Sequence, residues 1–140
     1  MSKTLGIDAS TQSVTALLFD NEGGTVLVQS SVNFGRDLPQ YDAPNGFVRG
    51  EEGAILADPL MWLEALDLCL GNLREQADLS EVVAISGAGQ QHGTVYLNAK
   101  GLASLGTLSV PHIDLRGGFS RALSPIWMDQ SSGSQCRAIE

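Results

Sequence analysis

Within its first 32 residues the chain offers three strand-like segments separated only by short polar turns, and no stretch long enough for a helix between them. Residues 4–8 are short and apolar and end in an acid. Residues 14–20, VTALLFD, are β-branched and apolar on both faces, the pattern of a buried strand. Residues 25–32 alternate Val26, Val28 and Val32 against Leu27, Gln29 and Ser31, the period of a strand. The turn NEGG at 21–24 supplies glycines able to take positive φ, as a hairpin requires. Three strands joined this way form an antiparallel meander. A Rossmann domain opens βαβ, so the meander argues against one.

The remainder is mixed. Residues 34–57, interrupted by Pro39, Pro44 and the turn pair Asn45-Gly46, read as a long surface loop. Asp58-Pro59 is a helix start, with a side-chain cap and a proline at the first helical position. Glu64, Asp67, Asn72, Arg74 and Glu75 then face away from Leu63, Leu66, Leu70 and Leu73, beside Trp62 and Cys69. This predicts an amphipathic helix of about five turns ending near Asp78, packed on the sheet through Leu66, Leu70 and Leu73. Residues 82–86, VVAIS, are apolar throughout, which predicts a central strand parallel to 4–8. Residues 94–97 read as another strand with 98–101 as its turn. Residues 101–124 read as loop, 125–128 as a short strand, and 129–140 as the start of a helix. At 140 residues this is one domain with a core of its own.

Composition limits the partners. An apolar share of 43% and a charged share of 17% exclude disorder, and a net charge of −8 argues against a nucleic-acid backbone. A small anion can still be held by backbone N–H groups and a metal ion. Cys69 and Cys136 form neither a disulfide framework nor a zinc site, and Cys69 falls within the helix pattern as a core residue. The start, MSKTLGIDAS, lacks the apolar run of a signal peptide, and no segment reaches membrane-spanning length. These features predict a cytoplasmic protein with no membrane association.

Three stretches carry candidate chemistry. In GIDASTQS (6–13), Asp8 ends the first strand and Ser10, Thr11, Gln12 and Ser13 form a polar turn. Such a turn can aim N–H groups at an anion, and an adjacent carboxylate can hold Mg²⁺, a set suited to nucleotide phosphates. It is equally the composition of a plain hairpin turn. No GxxxxGK[ST] loop is present, which excludes a P-loop enzyme. In ISGAGQQHGTVYL (85–97) the glycines miss the dinucleotide spacing by one residue, and strand-like sequence follows rather than a helix. Gln90, Gln91 and His92 together offer amide donors, amide acceptors and an imidazole, matching a polyhydroxylated ligand; the alternative is a loop histidine bonded to local backbone. In SPIWMDQ (124–130), Trp127 supplies a flat apolar face and Asp129 a carboxylate, a sugar-binding pair, although a tryptophan on a short strand is also an ordinary core residue. His112 reads as solvated or locally bonded, and Arg116 and Arg121 as surface residues.

Taken in order, GIDASTQS, SGAGQQHG and PIWMD resemble the N-terminal domain of the FGGY carbohydrate kinases, and the Gln-Gln-His-Gly form resembles their xylulose-kinase branch. The Gln-Arg-Glu of glycerol kinases is absent. PNGFVRG, LMWLEALD and WMDQSS followed by QCR extend the resemblance from about residue 5 to 140. It implies an α/β domain of the ribonuclease H-like, actin-like ATPase type, incomplete at its C-terminus, with ATP and Mg²⁺ as cofactors. By this resemblance Asp8 falls on the metal- and phosphate-associated aspartate, and Ser10, Thr11 and Gln12 on the phosphate-binding hairpin. Gln91 and His92 fall on the sugar-contacting pair, and Trp127 and Asp129 on the sugar-side W-x-D element. Ser10 replaces a common glycine, and Thr15 replaces a common lysine or arginine. The family's general base and adenine pocket lie beyond residue 140. The chain therefore reads as the sugar wall and phosphate hairpin of a larger enzyme, with no catalytic residue of its own and no activity alone. The implied parent reaction is phosphorylation of D-xylulose by ATP. Another sugar such as ribulose or gluconate, or a ribonuclease H-like binding module without chemistry, are the alternatives.

Overall fold

The computed structural model describes residues 2–106 and 115–139; His112 lies outside them. The meander forms as the sequence predicts. Strands β1 (Lys3–Ala9), β2 (Ser13–Asp20) and β3 (Thr25–Asn33) pair antiparallel, from Lys3 opposite Asp20 to Ala9 opposite Val14, and on to Ser13 opposite Asn33. One face of β2 is buried at every second residue, at Val14, Ala16 and Leu18. That alternation makes one side of the sheet a core.

Next in the chain come α1 (Phe34–Asp37), β4 (Val48–Arg49), β5 (Ile55–Ala57) and the long α2 (Pro59–Gln76). The start of α2 is capped as expected, with the Leu60 N–H donating to Asp58 Oδ1 at 2.8 Å. The helix packs on the buried face of the sheet: the Cys69 thiol points at Ser30 O (3.4 Å) and Val14 O (3.7 Å). Its buried line is Met61, Ala65, Cys69 and Leu73, rather than the leucines at 66, 70 and 73. Of the predicted face only Leu73 is at its centre; Leu66 and Leu70 are half-buried and Leu63 is exposed. Residues four apart lie almost above one another on a helix, and the small Ala65 and Cys69 leave the room that close approach to the sheet needs.

β6 (Val82–Gly89) pairs parallel with β1, Leu5 against Ile85 and Ala9 against Gly89, giving the order β3-β2-β1-β6. The parallel pairing is as predicted. The central position is not: β6 is the outermost strand of this sheet, with Val83 and Ile85 each about two-thirds exposed.

The predicted loop 34–57 instead carries α1, β4 and β5. Asn33 caps α1 by accepting the Arg36 N–H, and Arg49 pairs with Ile55 across β4 and β5. Strands of two or three residues are too short to show a period, and prolines mask them. Beyond β6, the predicted strand 94–97 is reduced to a bridge between Leu97 and Phe119, and the predicted turn at 98–101 opens helix α3 (Ala99–Leu105). Asn98 explains the difference, since its side chain accepts the Gly101 N–H as a helix cap, and asparagine is favoured in turns and caps alike. β7 (Ser124–Pro125) is shorter than predicted and pairs with β5; α4 (Gly133–Ile139) follows. The chain divides into two compact units, Met1–Phe47 with Met61–Gln90, and Val48–Leu60 with Gln91–Glu140.

Candidate functional site

In the first unit, the turn between β1 and β2 is held closed from several sides. The Ser10 N–H donates to Ser13 O at 2.9 Å and the Ser10 hydroxyl donates to Asp8 Oδ2 at 2.7 Å. The N–H of the fully buried Phe34 donates to Gln12 O at 2.9 Å. Gly46, at φ 81°, passes so near that a Cβ there would lie 1.9 Å from Thr11 O. The Gln90 N–H donates to Ala9 O at 2.9 Å, laying the end of β6 beside the turn; the buried Gln90 Oε1 has no hydrogen-bond partner among the described residues. The turn of α1 that carries Phe34 is itself fixed by Asp37, which accepts the Asn33 N–H (2.8 Å) and both arms of the Arg36 fork (2.7 Å each). The Arg36 hydrogen bonds foremost, with the Asn33 N–H, lower the Asp37 pKa to about 2.

This geometry decides what the turn can offer an anion. Both donors of Ser10 are engaged within the chain, while Asp8 and Gln12 are exposed. Thr15, where the resemblance expects a lysine or arginine, shares a hydrogen bond with Ser31 across β2 and β3 (3.0 Å). No cluster of three or more His, Cys, Asp or Glu able to hold a metal occurs among the described residues. Asp8 is therefore a single carboxylate. It suits an ion that arrives on phosphate oxygens and keeps waters, as Mg²⁺ does, and not one needing a full protein cage.

In the second unit, Gln91 and His92 are exposed, and neither makes a hydrogen bond or ion pair among the described residues. His92 adopts φ 58°, a left-handed conformation uncommon outside glycine. Two residues on, the Thr94 N–H donates to Pro125 O at 3.2 Å, tying this turn to the strand that leads into Trp127. Trp127 is 54% exposed, so it is not a core residue. Asp129 is more constrained. Its Oδ1 accepts the Ile55 N–H (3.0 Å) and its Oδ2 the Ser131 hydroxyl (2.8 Å). Burial works to raise its pKa, but the Ile55 N–H, the Ser131 hydroxyl and N–H and the charge of Arg121 outweigh it, holding the carboxyl below its usual range. Asp129 thus anchors the segment after Trp127 to β5, and a sugar hydroxyl would use only its remaining lone pairs. Arg121 is exposed, as expected, but its guanidinium lies over the Tyr96 ring at 5.6 Å.

A cleft of about 500 Å³ opens beside Trp127, lined also by Arg49, Gly53, Ile55, Met128 and Gln130. Arg49 and Gln130 escaped the sequence reading. The only signal for Arg49 was its place in PNGFVRG, read as loop because β4 has two residues.

No family model matches the chain. Over 97% of its length, however, it is 42% identical to the xylulose kinase of Mus musculus and 41% identical to xylulose kinase 2 of Arabidopsis thaliana. Each match covers 25% of the relative, so the chain spans about a quarter of the length of these curated relatives. In structure it resembles a ligand-bound xylulose kinase from Lactobacillus acidophilus with a TM-score of 0.69 at 17% identity, over 99% of this chain and 22% of that one. The mixed α/β fold is thus like that of part of this kinase, the fold class that the sequence motifs implied.

Proposed function

We propose that the chain belongs to the FGGY carbohydrate kinases, beside the xylulose kinases, and that the whole protein transfers the γ-phosphoryl group of ATP to D-xylulose, giving D-xylulose 5-phosphate. The observation that carries this reading is the 42% identity to a xylulose kinase over nearly the whole chain. The residues described here form the sugar wall and phosphate hairpin of the enzyme's N-terminal domain, and the general base and adenine pocket come from the rest of the polypeptide. These residues alone do not turn over sugar. Two free cysteines, one of them buried, suit a reducing cytoplasm.

In this reading Asp8 faces Mg²⁺ and the phosphates, with Thr11 and Gln12 on the same turn. The packing of Phe34 and Gly46 keeps that turn from relaxing when charge accumulates. Gln91 and His92 bind sugar hydroxyls; having no partner within the described chain, they surrender no internal hydrogen bond on doing so. The indole of Trp127 covers a C–H face of the sugar, and Asp129 positions that indole by tying it to β5. Mg²⁺ supplies neutralisation of phosphate charge, and the chain's own contribution is positioning.

The test is His92→Ala in the whole enzyme. Loss of one hydrogen bond to a neutral hydroxyl is worth ~0.5–1.5 kcal/mol, so KM for D-xylulose should rise roughly threefold to tenfold with KM for ATP unchanged. A raised ATP KM beside an unchanged sugar KM would move His92 to the nucleotide side and end this assignment.

A further inference from the structure

β6 ends beside the turn that joins β1 to β2, and the residue that follows it decides what this end of the sheet offers a ligand. The Gln90 N–H donates to Ala9 O at 2.9 Å, one residue before Ser10, and Asp8 stands opposite Ala88 in the register just below. The Gln90 backbone is thereby fixed at the same end of the sheet as the exposed Asp8. Its side-chain amide makes no hydrogen bond among the described residues, and the two halves of that amide differ. Oε1 is buried, whereas the residue as a whole is half-buried and Nε2 stays open. That orientation is the less costly one, because turning the amide over would orphan two buried donors in place of one acceptor. What faces outward is therefore an NH₂ group. A buried acceptor without a partner works against folding, and such groups persist where a function retains them. The turn itself is short of donors, since the Ser10 N–H and hydroxyl are engaged within the chain at 2.9 and 2.7 Å. Asp8 supplies no donor and repels an anion that arrives without a cation. An NH₂ group from Gln90 fits the need these residues leave: it donates to anionic oxygens.

We propose that Gln90 binds a phosphoryl group at this end of the sheet, its Nε2 donating to a phosphoryl oxygen while Asp8 faces the accompanying Mg²⁺. The inference rests on the reading of the β1–β2 turn as a phosphate site. It separates Gln90 from the neighbouring Gln91 and His92, which the same reading gives to sugar hydroxyls. The phosphoryl oxygens come either from the nucleotide or from a sugar phosphate, and the two sources share this chemistry.

Calorimetric titration of the whole enzyme with the β,γ-imido analogue of ATP, D-xylulose 5-phosphate and D-xylulose, each in the presence of Mg²⁺, tests it. Gln90→Leu should weaken the ligand whose phosphoryl group Gln90 holds by roughly tenfold or more, the scale of a hydrogen bond to a charged group, and leave D-xylulose unchanged. The ligand that loses affinity identifies the source. Gln90→Glu is the second variant: it exchanges the donor for a carboxylate and should weaken the same ligand further than leucine does. Thermal melts of Gln90→Leu without ligand give a readout independent of the site. Leucine removes the orphaned acceptor, so the melting temperature should equal or exceed that of the parent. A lower melting temperature with all three ligands weakened alike, a loss confined to D-xylulose, or no loss for any ligand would each overturn the proposal. A His92-dependent KM for D-xylulose beside unchanged affinities in Gln90→Leu would end the phosphoryl contact and leave the kinase assignment standing. A tenfold loss for the nucleotide analogue in an enzyme that does not phosphorylate D-xylulose would do the reverse.

Discussion

Two glycines with nearly the same backbone geometry should respond very differently to alanine. Gly24 (φ 66°) sits in the turn between β2 and β3, and a Cβ added there meets nothing within 4 Å. Gly46 (φ 81°) lies against the turn that bears Ser10, Thr11 and Gln12, where the same atom would lie 1.9 Å from Thr11 O and 3.0 Å from the Phe34 ring. Gly24→Ala incurs only the left-handed conformation, ~1–2 kcal/mol. Gly46→Ala adds a backbone collision that nothing flexible can absorb, so its loss should exceed ~3 kcal/mol. Urea unfolding of both variants measures the difference. Equal losses would mean that the 46 loop does not press on the hairpin, and that the turn is free to rearrange around phosphate.

The helix α2 makes its own test at the next scale, because the sequence pattern and the packing choose different faces. By pattern Leu63 and Leu73 are equivalent; in the fold Leu73 is fully buried and Leu63 is 40% exposed. Leu73→Ala should cost ~2–5 kcal/mol, from lost burial and a residual cavity, and Leu63→Ala no more than ~0.5 kcal/mol. Thermal melts that rank the two variants the other way would restore the leucine face and refute the packing through Ala65 and Cys69. The reason for the difference generalises to what was legible in this chain. Leucine is large and apolar wherever it lies, so counting leucines found the helix but not its contact line, which small residues define. The meander was legible because NEGG punctuates two long strands. The pairs β4–β5 and β5–β7 were not, because these strands are two or three residues long and β7 is far from β5 in sequence. Trp127 and Asp129 were found from residue chemistry, but only the fold shows that Asp129 has both oxygens already engaged. Arg49 was invisible for a related reason: Trp127, Met128 and Gln130, which share its cleft, lie more than 70 positions along the chain.

At the scale of the whole molecule, the exposed edge of the four-stranded sheet sets how these 140 residues behave in solution. β6 is eight residues long, hydrogen-bonded on one side to β1, and it presents Val83 at 68% and Ile85 at 67% exposure. An edge of that length, apolar and without a proline or a charge, is a template for another strand. Burying a valine or isoleucine side chain is worth ~1.5–3 kcal/mol, so two of them supply a real drive to associate. The opposing force is the net charge of −8, which acts between copies at long range. Salt separates the two forces: the screening length falls to ~10 Å at 0.1 M and ~3 Å at 1 M, while burial of apolar surface is undiminished. The chain should therefore sediment as a smaller species in dilute buffer and associate as sodium chloride is raised. Val83→Lys with Ile85→Lys brings the net charge only from −8 to −6, which weakens repulsion, yet it places charge on the strand itself. If β6 is the contact, this double variant stays small at high salt in spite of its lower net charge. Association of the double variant equal to that of the parent in 1 M salt would locate the sticky surface elsewhere, with the exposed Leu63 and Leu68 on α2 the next place to substitute.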